Sequence, residues 1–283
     1  MNDDATQLSL LTPAQPHHPP STTHARLLLF NAQHASPARA YRQADWISRQ
    51  EDADLAVLTE VGSGPGGTAL VQALRDVGYA HVLAPTPAPD TAGDYRTVIA
   101  SRTAPLEPVD PDVAFLPHRA PAALTTIAGH RLGILGLYVP SRGPKERRNE
   151  DKKNFQNAVA HALSGLAKVF ADAPVVVAGD LNVVERGHQP PHAVFGQWEY
   201  AFHDAFAQAG FTDAYRHLHP DTVDHSWFGR SGNGFRFDHI FTTTAQAPQI
   251  TECVYDHTPR TTGLTDHAAM LLTLELSPSA QTL

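Results

Sequence analysis

The segment VVVAGDLN, Val175 to Asn182, is apolar until it ends on a carboxylate and a carboxamide two positions apart, Asp180 and Asn182. In an extended chain residues i and i+2 point to the same face, so these two leave the strand side by side while Leu181 points away. Chemistry in α/β folds sits at the C-terminal ends of buried strands, where the strand fixes the backbone and its end reaches solvent. Taken alone, the same residues also read as an ordinary strand-to-turn exit. The pattern recurs, however: LLLFN ends on Asn31, LAVLTE ends on Glu60, and Asp266 and His267 adjoin the apolar run AAMLLTLEL. Asp238 lies inside FRFDHIF, among Phe235, Phe237, Ile240 and Phe241. A carboxylate flanked by that much apolar side chain needs a partner or a cation.

Hard oxygen donors without a cysteine or histidine cluster select Mg²⁺ or Mn²⁺ over zinc or copper, and Glu60 is the best-placed candidate ligand. An Asp and a His able to pair, such as Asp238 and His267, suit phosphate hydrolysis, because the carboxylate orients the imidazole and keeps it protonated against a phosphate. Asp180, held by Asn182, can then handle the proton of an attacking water or a leaving oxygen.

The elements that must position these groups are legible along the chain. LLLFN, the helix-like segment around YRQADWISRQ, and LAVLTE form a β-α-β unit. GTALVQALRDVGY reads as a helix closed by Gly78, and RTVIASR, ALTTIAG and RLGILGLYVP read as strands. KKNFQNAVAHALSGLAKVF carries Phe155, Val159, Ala162 and Leu166 on one helical stripe and feeds the VVVAGDLN strand. WEYAFHDAFAQAGF follows as a helix ending at Gly210, then DHSWFGR, FRFDHIFTT and AAMLLTLEL as strands. Strands in two blocks, each with its helices, predict two packed sheets with helices outside them in one domain. That domain is expected over residues 25–276. Residues 1–24, with PAQPHHPPSTTH, and residues 277–283, with SPSAQTL, read as disordered tails.

Composition narrows the function. The chain has 283 residues, 42% hydrophobic and 18% charged, enough for a sizeable core. No apolar run is long enough to span a bilayer and the N-terminus, MNDDATQ, is acidic, so we expect a cytoplasmic protein without a membrane partner. The single cysteine, Cys253, excludes an internal disulfide and a cysteine-rich zinc site and is expected in the core. A net charge of −8 would repel a phosphate polymer, which weighs against nonspecific nucleic-acid coating. A local basic groove with a bound divalent cation remains compatible with that charge. The segment SRGPKERRNEDKKN concentrates Arg142, Lys145, Arg147, Arg148, Lys152 and Lys153, where a phosphate backbone can lie, although a solvated loop and helix start would look the same. Trp227 and Phe235 can pack against a sugar or base, or belong to the core.

The ordered set FN (Phe30, Asn31), LTE (Leu58 to Glu60), YVP (Tyr138 to Pro140), GDLN (Gly179 to Asn182), GFRFDHI (Gly234 to Ile240) and TDH (Thr265 to His267) resembles the endonuclease/exonuclease/phosphatase superfamily of metal-dependent phosphoesterases. The likeness runs from about Leu27 to Leu276. It implies a four-layered αββα sandwich of two mostly antiparallel sheets with outer helices, and a site at one edge between the sheets. Asp213, Tyr215, Arg216 and His217, then Ser226, Trp227 and Phe228, then Gly234, Arg236 and Asp238 resemble the exonuclease III branch of apurinic/apyrimidinic endonucleases. Two departures adjoin the metal motif: Gly62 stands where that branch has lysine, and Gln33 two positions after the first Asn where it usually has a polar or acidic residue. Elsewhere Ser141 follows YVP where the branch has asparagine, and Ala214 replaces a hydroxyl or similar residue in the Asp-x-Tyr-Arg element.

By this resemblance Glu60 holds the metal, with Asn31 and Asp266 in or beside its coordination shell. Tyr138 and His267 contact the scissile phosphate, Asp238 orients His267, and Asp180 with Asn182 serves the nucleophile and leaving group. Arg142, Arg147, Arg148, Trp227, Phe235 and Arg236 are the expected substrate contacts. The expectation is a Mg²⁺ (or Mn²⁺) phosphodiesterase acting as a monomer on DNA, a duplex with an abasic site or a 3′ end. The alternative is a small nucleotide, lipid or metabolite phosphoester, and a third reading is a catalytically silent binding module. Intact Glu60, Asp180, Asn182, Asp238 and His267 argue against the last.

Overall fold

The computed structural model describes residues 23–50, 52–91, 93–142 and 146–276, without the side chains of residues 146–148. The expected tails therefore lie outside the described residues, except that the first strand already begins at Thr23. No helix among the described residues is long and apolar enough to cross a membrane.

The first sheet contains β1 (Thr23–Asn31), β2 (Leu55–Gly62), β3 (His81–Leu83), β4 (Tyr95–Ser101), β13 (Ile250–Asp256) and β14 (Ala269–Leu276), in the order β13-β14-β1-β2-β4-β3. The second contains β5 (Glu107–Val109), β6 (Ala122–Ile127), β7 (His130–Tyr138), β8 (Val175–Asp180), β9 (Phe211–Asp213) and β12 (Asp238–Thr243), in the order β5-β6-β7-β8-β12-β9. Between them in sequence, β10 (Trp227–Phe228) and β11 (Gly234–Phe235) form a separate ribbon. Each sheet has one parallel pair, β1 with β2 and β7 with β8, and is otherwise antiparallel. A parallel neighbour needs a crossover, supplied by α1 (Pro37–Ser48) in the first sheet and by α3 (Glu146–Leu163) with α4 (Leu166–Val169) in the second. Helices α2 (Pro65–Asp76) and α5 (Gln197–Gln208) complete the outer layers, and α6 (Ala214–Leu218) and α7 (Thr258–Thr261) are single turns in connections.

Both faces of the central strands are buried, which is why their sequences run apolar without alternation. Leu27, Leu29, Val57 and Ile99 meet Ile134, Val176, Ala178 and Ile240 between the sheets. Leu28, Phe30 and Leu58 face outward against Ile47 and Leu74 of the helices α1 and α2. Leu135, Leu137 and Val177 do the same against Phe155, Val159, Phe202 and Phe206 of α3 and α5. The result is the layered α/β sandwich that the sequence predicts. Cys253 is fully buried in the core between the sheets.

Register brings the strand ends together. Tyr138 pairs with Asp180 and Asp180 with Asp238, so three adjacent strands of the second sheet place these residues in one row. Asn31 pairs with Thr59 at the matching edge of the first sheet. Parallel strands finish at the same edge, and their antiparallel neighbours β12 and β14 start there, so both ends of the chain's pattern converge. One expectation fails locally: FRFDHIFTT is not a single strand. It divides into β11 and β12, because the main-chain amides of Phe237 and Asp238 donate to Ser226 Oγ at 3.0 and 3.1 Å instead of to a ladder.

Candidate active site

Three local devices aim the strand ends. The β2–β4 register shifts between Leu58 and Val61, a bulge that places Glu60 at φ 51° and turns its side chain out of the ladder. Asn182 is likewise left-handed, at φ 49°, two residues past Asp180. Gly179 lets β7 and β8 approach closely, since a Cβ there would overlap the Leu137 carbonyl.

The polar residues then form one network. Asp180, 1% exposed, accepts from Asn31 Nδ2 at 3.1 Å and from the Asn182 amide at 2.9 Å. Asn31 Oδ1 accepts the Gln33 amide at 2.8 Å, and its Nδ2 lies 3.4 Å from His267 Nε2. His267 Nδ1 donates to Asp238 Oδ2 at 2.7 Å. Trp227 Nε1 donates to Asp266 Oδ2 at 2.9 Å, and a backbone bridge between Trp227 and His267 pins the loop that carries both acid and imidazole. The Asn182 carboxamide donates to the Val139 carbonyl at 2.9 Å.

Electrostatics follow from burial and neighbours. Burial and the nearby Asp238 carboxylate raise Asp180 well above the usual carboxylate range, against the opposing pull of His267. Burial works against a charged His267, but Asp238 at hydrogen-bond distance, with Asp180 and Asp266 beyond it, raises its pKa to about 10. The imidazole is therefore cationic, with Nε2–H available to an anionic oxygen. Tyr138, 4% exposed, has its phenol raised by burial and then by the adjacent Glu60 carboxylate.

The donors suit a hard cation. Glu60, Asp180 and His267 each offer an atom within 4.8 Å of the others. A cationic imidazole cannot coordinate a metal, which leaves the carboxylates and the Asn31 carboxamide as ligands. Asp238 Oδ1 and Asp266 Oδ1 are buried and accept no hydrogen bond among the described residues. That excess of buried negative oxygen is what a divalent cation would offset.

The structure separates the expected substrate contacts. Trp227 and Phe235 are half-buried, with ring centroids 5.6 Å apart, beside His267. Arg142 is tied at 3.4 Å to Glu199, and the side chains of Arg147 and Arg148 lie outside the description. Arg236 does not reach the surface. Its side chain is fully buried and pairs with Asp213 Oδ2 at 2.7 Å and Glu185 Oε2 at 3.1 Å, from the link between β11 and β12. Lys152, expected in the basic patch, also points inward. It has no exposure and meets Glu199 Oε1 at 2.5 Å, whereas Lys153 is exposed. The sequence held a signal for this, since Lys152 is three residues before Phe155 on the same buried helical stripe.

Other residues escaped the sequence reading. Arg119 stacks over the Tyr138 ring, its guanidinium carbon 4.5 Å from the centroid, and is clamped by both carboxylate oxygens of Asp94. Burial opposes ionisation of Asp94, but His118 and Arg119 hold it far below the usual range. Ser226, quoted in the sequence only as part of a motif, turns out to anchor the start of β12. Glu185, His203 and His239 also offer donor atoms within reach of one another. They do not make a second metal centre: Glu185 is taken by Arg216 and Arg236, and both nitrogens of His239 are bonded, to Asp213 and to the Arg236 carbonyl.

Comparison with known proteins bears on the fold and the family. The model of the family described as "Endonuclease/Exonuclease/phosphatase family" matches residues 28–267. An exodeoxyribonuclease of Bacillus subtilis is 24% identical over 225 residues, covering 74% of this chain and 85% of the relative. An AP endonuclease from Archaeoglobus fulgidus superposes with a TM-score of 0.71 at 21% identity, over 89% of this chain and 100% of the other. A Neisseria 3′ phosphatase bound to product DNA hairpin gives 0.71 at 20% identity with the same coverage, 89% and 100%.

Proposed function

Because this chain belongs to the endonuclease/exonuclease/phosphatase family, we propose that it is a divalent-metal-dependent phosphodiesterase of the exonuclease III type, cutting DNA at abasic sites or trimming 3′ ends. The observation that carries the reading is the two hydrogen-bonded pairs, Asn31–Asp180 and His267–Asp238, side by side with Glu60 at their edge, a set of groups suited to holding a phosphate. The exodeoxyribonuclease relative and the DNA-bound 3′ phosphatase support the choice of DNA. A cytoplasmic monomer goes with that substrate.

Glu60 would hold Mg²⁺ or Mn²⁺, with Asn31 and Asp266 in or beside its shell. Bound there, the cation would neutralise charge developing on the phosphoryl oxygens. His267 donates from Nε2 to a nonbridging oxygen, and Asp238 keeps it cationic and oriented. The Tyr138 hydroxyl, held protonated by burial, donates to the same phosphate. Asp180, with its carboxyl raised, takes the proton of an attacking water, and Asn182 positions that water or the leaving oxygen. Trp227 and Phe235 offer an aromatic wall for the sugar beside the cut.

A small phosphoester is the second reading, favoured by a cavity of about 660 Å³ beside Tyr138 that is lined by Asp90, Asp94 and Asp151 as well as Arg119. Carboxylates there repel a polyanion more than a single phosphate. The test incubates the protein and Mg²⁺ with an abasic-site duplex, a 3′-blocked duplex and a small phosphodiester, with chelator and Asp180→Asn controls. Cleavage of either duplex, lost in both controls, supports the DNA reading. Turnover of the small diester alone selects the second, and an active Asp180→Asn protein rejects the mechanism.

A further inference from the structure

Lysine is the residue least suited to full burial, because its ammonium gives up hydration that one carboxylate restores only in part. Lys152 and Glu199 are nevertheless both without exposure, 2.5 Å apart, at the contact of α3 and α5. Replacing such a pair by uncharged residues of similar shape is often neutral or stabilising, so fold stability alone does not account for it. Its second bond points to a use: Lys152 Nζ also donates to the Asn182 main-chain carbonyl at 2.7 Å. Asn182 carries the left-handed φ of 49°, a conformation asparagine adopts more readily than other residues with a Cβ, and one that turns its carbonyl and side chain in fixed directions. Its amide is bonded to Asp180, its carbonyl to Lys152 and its Nδ2 to Val139. Among the described residues only Oδ1 has no partner, and that atom is the one left for substrate or water.

We propose that Lys152, neutralised by Glu199, is a positioning residue that fixes the Asn182 carboxamide by gripping its main-chain carbonyl. The proposal rests on the phosphodiesterase reading of the site. Glu199 serves as counter-ion and as the acceptor of the Gly196 amide at 2.8 Å, so Glu199→Gln keeps an acceptor for that cap while removing the charge.

The experiment measures single-turnover rates, KM and thermal midpoint for Lys152→Met and Lys152→Met/Glu199→Gln, each in the Asn182 and Asn182→Ala backgrounds, with Asp180→Asn as reference. Lys152→Met should lose both midpoint and rate, since it leaves the buried Glu199 carboxylate with only Arg142, 3.4 Å away, as its cation among the described residues. The double variant should recover the midpoint but stay ~10–100-fold slow with KM little changed, as expected when a reacting group is slightly misplaced. In the Asn182→Ala background the same double change should cost less than ~threefold, because the group it positions is gone. Rate recovering together with the midpoint, or an undiminished loss in the Asn182→Ala background, overturns the proposal. An active Asp180→Asn protein overturns the site reading and this proposal with it. A dead Asp180→Asn protein beside fully active Lys152 variants overturns the proposal alone.

Discussion

Asp238 and His267 meet at 2.7 Å although 29 positions separate them, and both are almost fully buried. The contact joins the first residue of β12 in one sheet to the loop entering β14 in the other. It therefore works as a clasp between the two sheets as well as a charge pair.

Asp238→Asn should keep the hydrogen-bonding shape but remove the charge that holds His267 cationic. Loss of the orienting carboxylate in such pairs costs orders of magnitude, so kcat should fall at least ~100-fold with a smaller change in KM. Steady-state kinetics on the preferred diester check this, and a near-native kcat would remove His267 from the phosphate.

Metal dependence is testable at Glu60. Chelation should abolish turnover, and Mg²⁺ should restore it. Glu60→Gln, which weakens one hard donor without changing its size, should raise the Mg²⁺ concentration for half-maximal rate at least ~10-fold. An unchanged metal titration would move the cation elsewhere.

Acid should unfold the protein partly through Glu185. Burial opposes its charge, but Arg236 leads a set of cations that lower its pKa from 4.5 to about 2. A carboxyl depressed in the folded state adds stability above its unfolded pKa and loses it as pH falls through the folded value. The contribution, about 3 kcal/mol at neutral pH, should fade between pH 5 and about 2. His203, lowered from 6.5 to about 3 chiefly by burial, acts in the same direction from a higher starting pH. Urea unfolding at stepped pH should show the decline, and Glu185→Gln should flatten its lower part.

Arg236 should prove structural. Arg236→Met leaves the Glu185 and Asp213 carboxylates without their buried cation, a change that costs ~3–5 kcal/mol in comparable pairs. The urea midpoint should drop accordingly, while KM for the diester stays near that of the parent in conditions where the variant is folded. A KM effect without loss of stability would return Arg236 to the substrate surface.

The sequence by itself determined the sandwich and the residues at its edge. Uninterrupted apolar strands and striped helices can bury their faces in few ways, and Asn31, Glu60 and Asp180 stand near strand ends whatever the register, whereas Asp238 became the first residue of a strand only where Ser226 divides FRFDHIFTT. Side-chain direction within loops and helices was decided only by the folded chain. Arg236 and Lys152 read as cations for a phosphate because their charge is visible and their neighbours are distant in sequence. In the structure Glu185 is 51 positions from Arg236 and Glu199 is 47 from Lys152, and those carboxylates turn both cations inward. The clamp of Asp94 on Arg119 over Tyr138 was invisible for the same reason. Local periodicity shows where a group leaves its strand. Which partner it meets depends on contacts closed by the whole fold, and VVVAGDLN gained its grip from Lys152 only there.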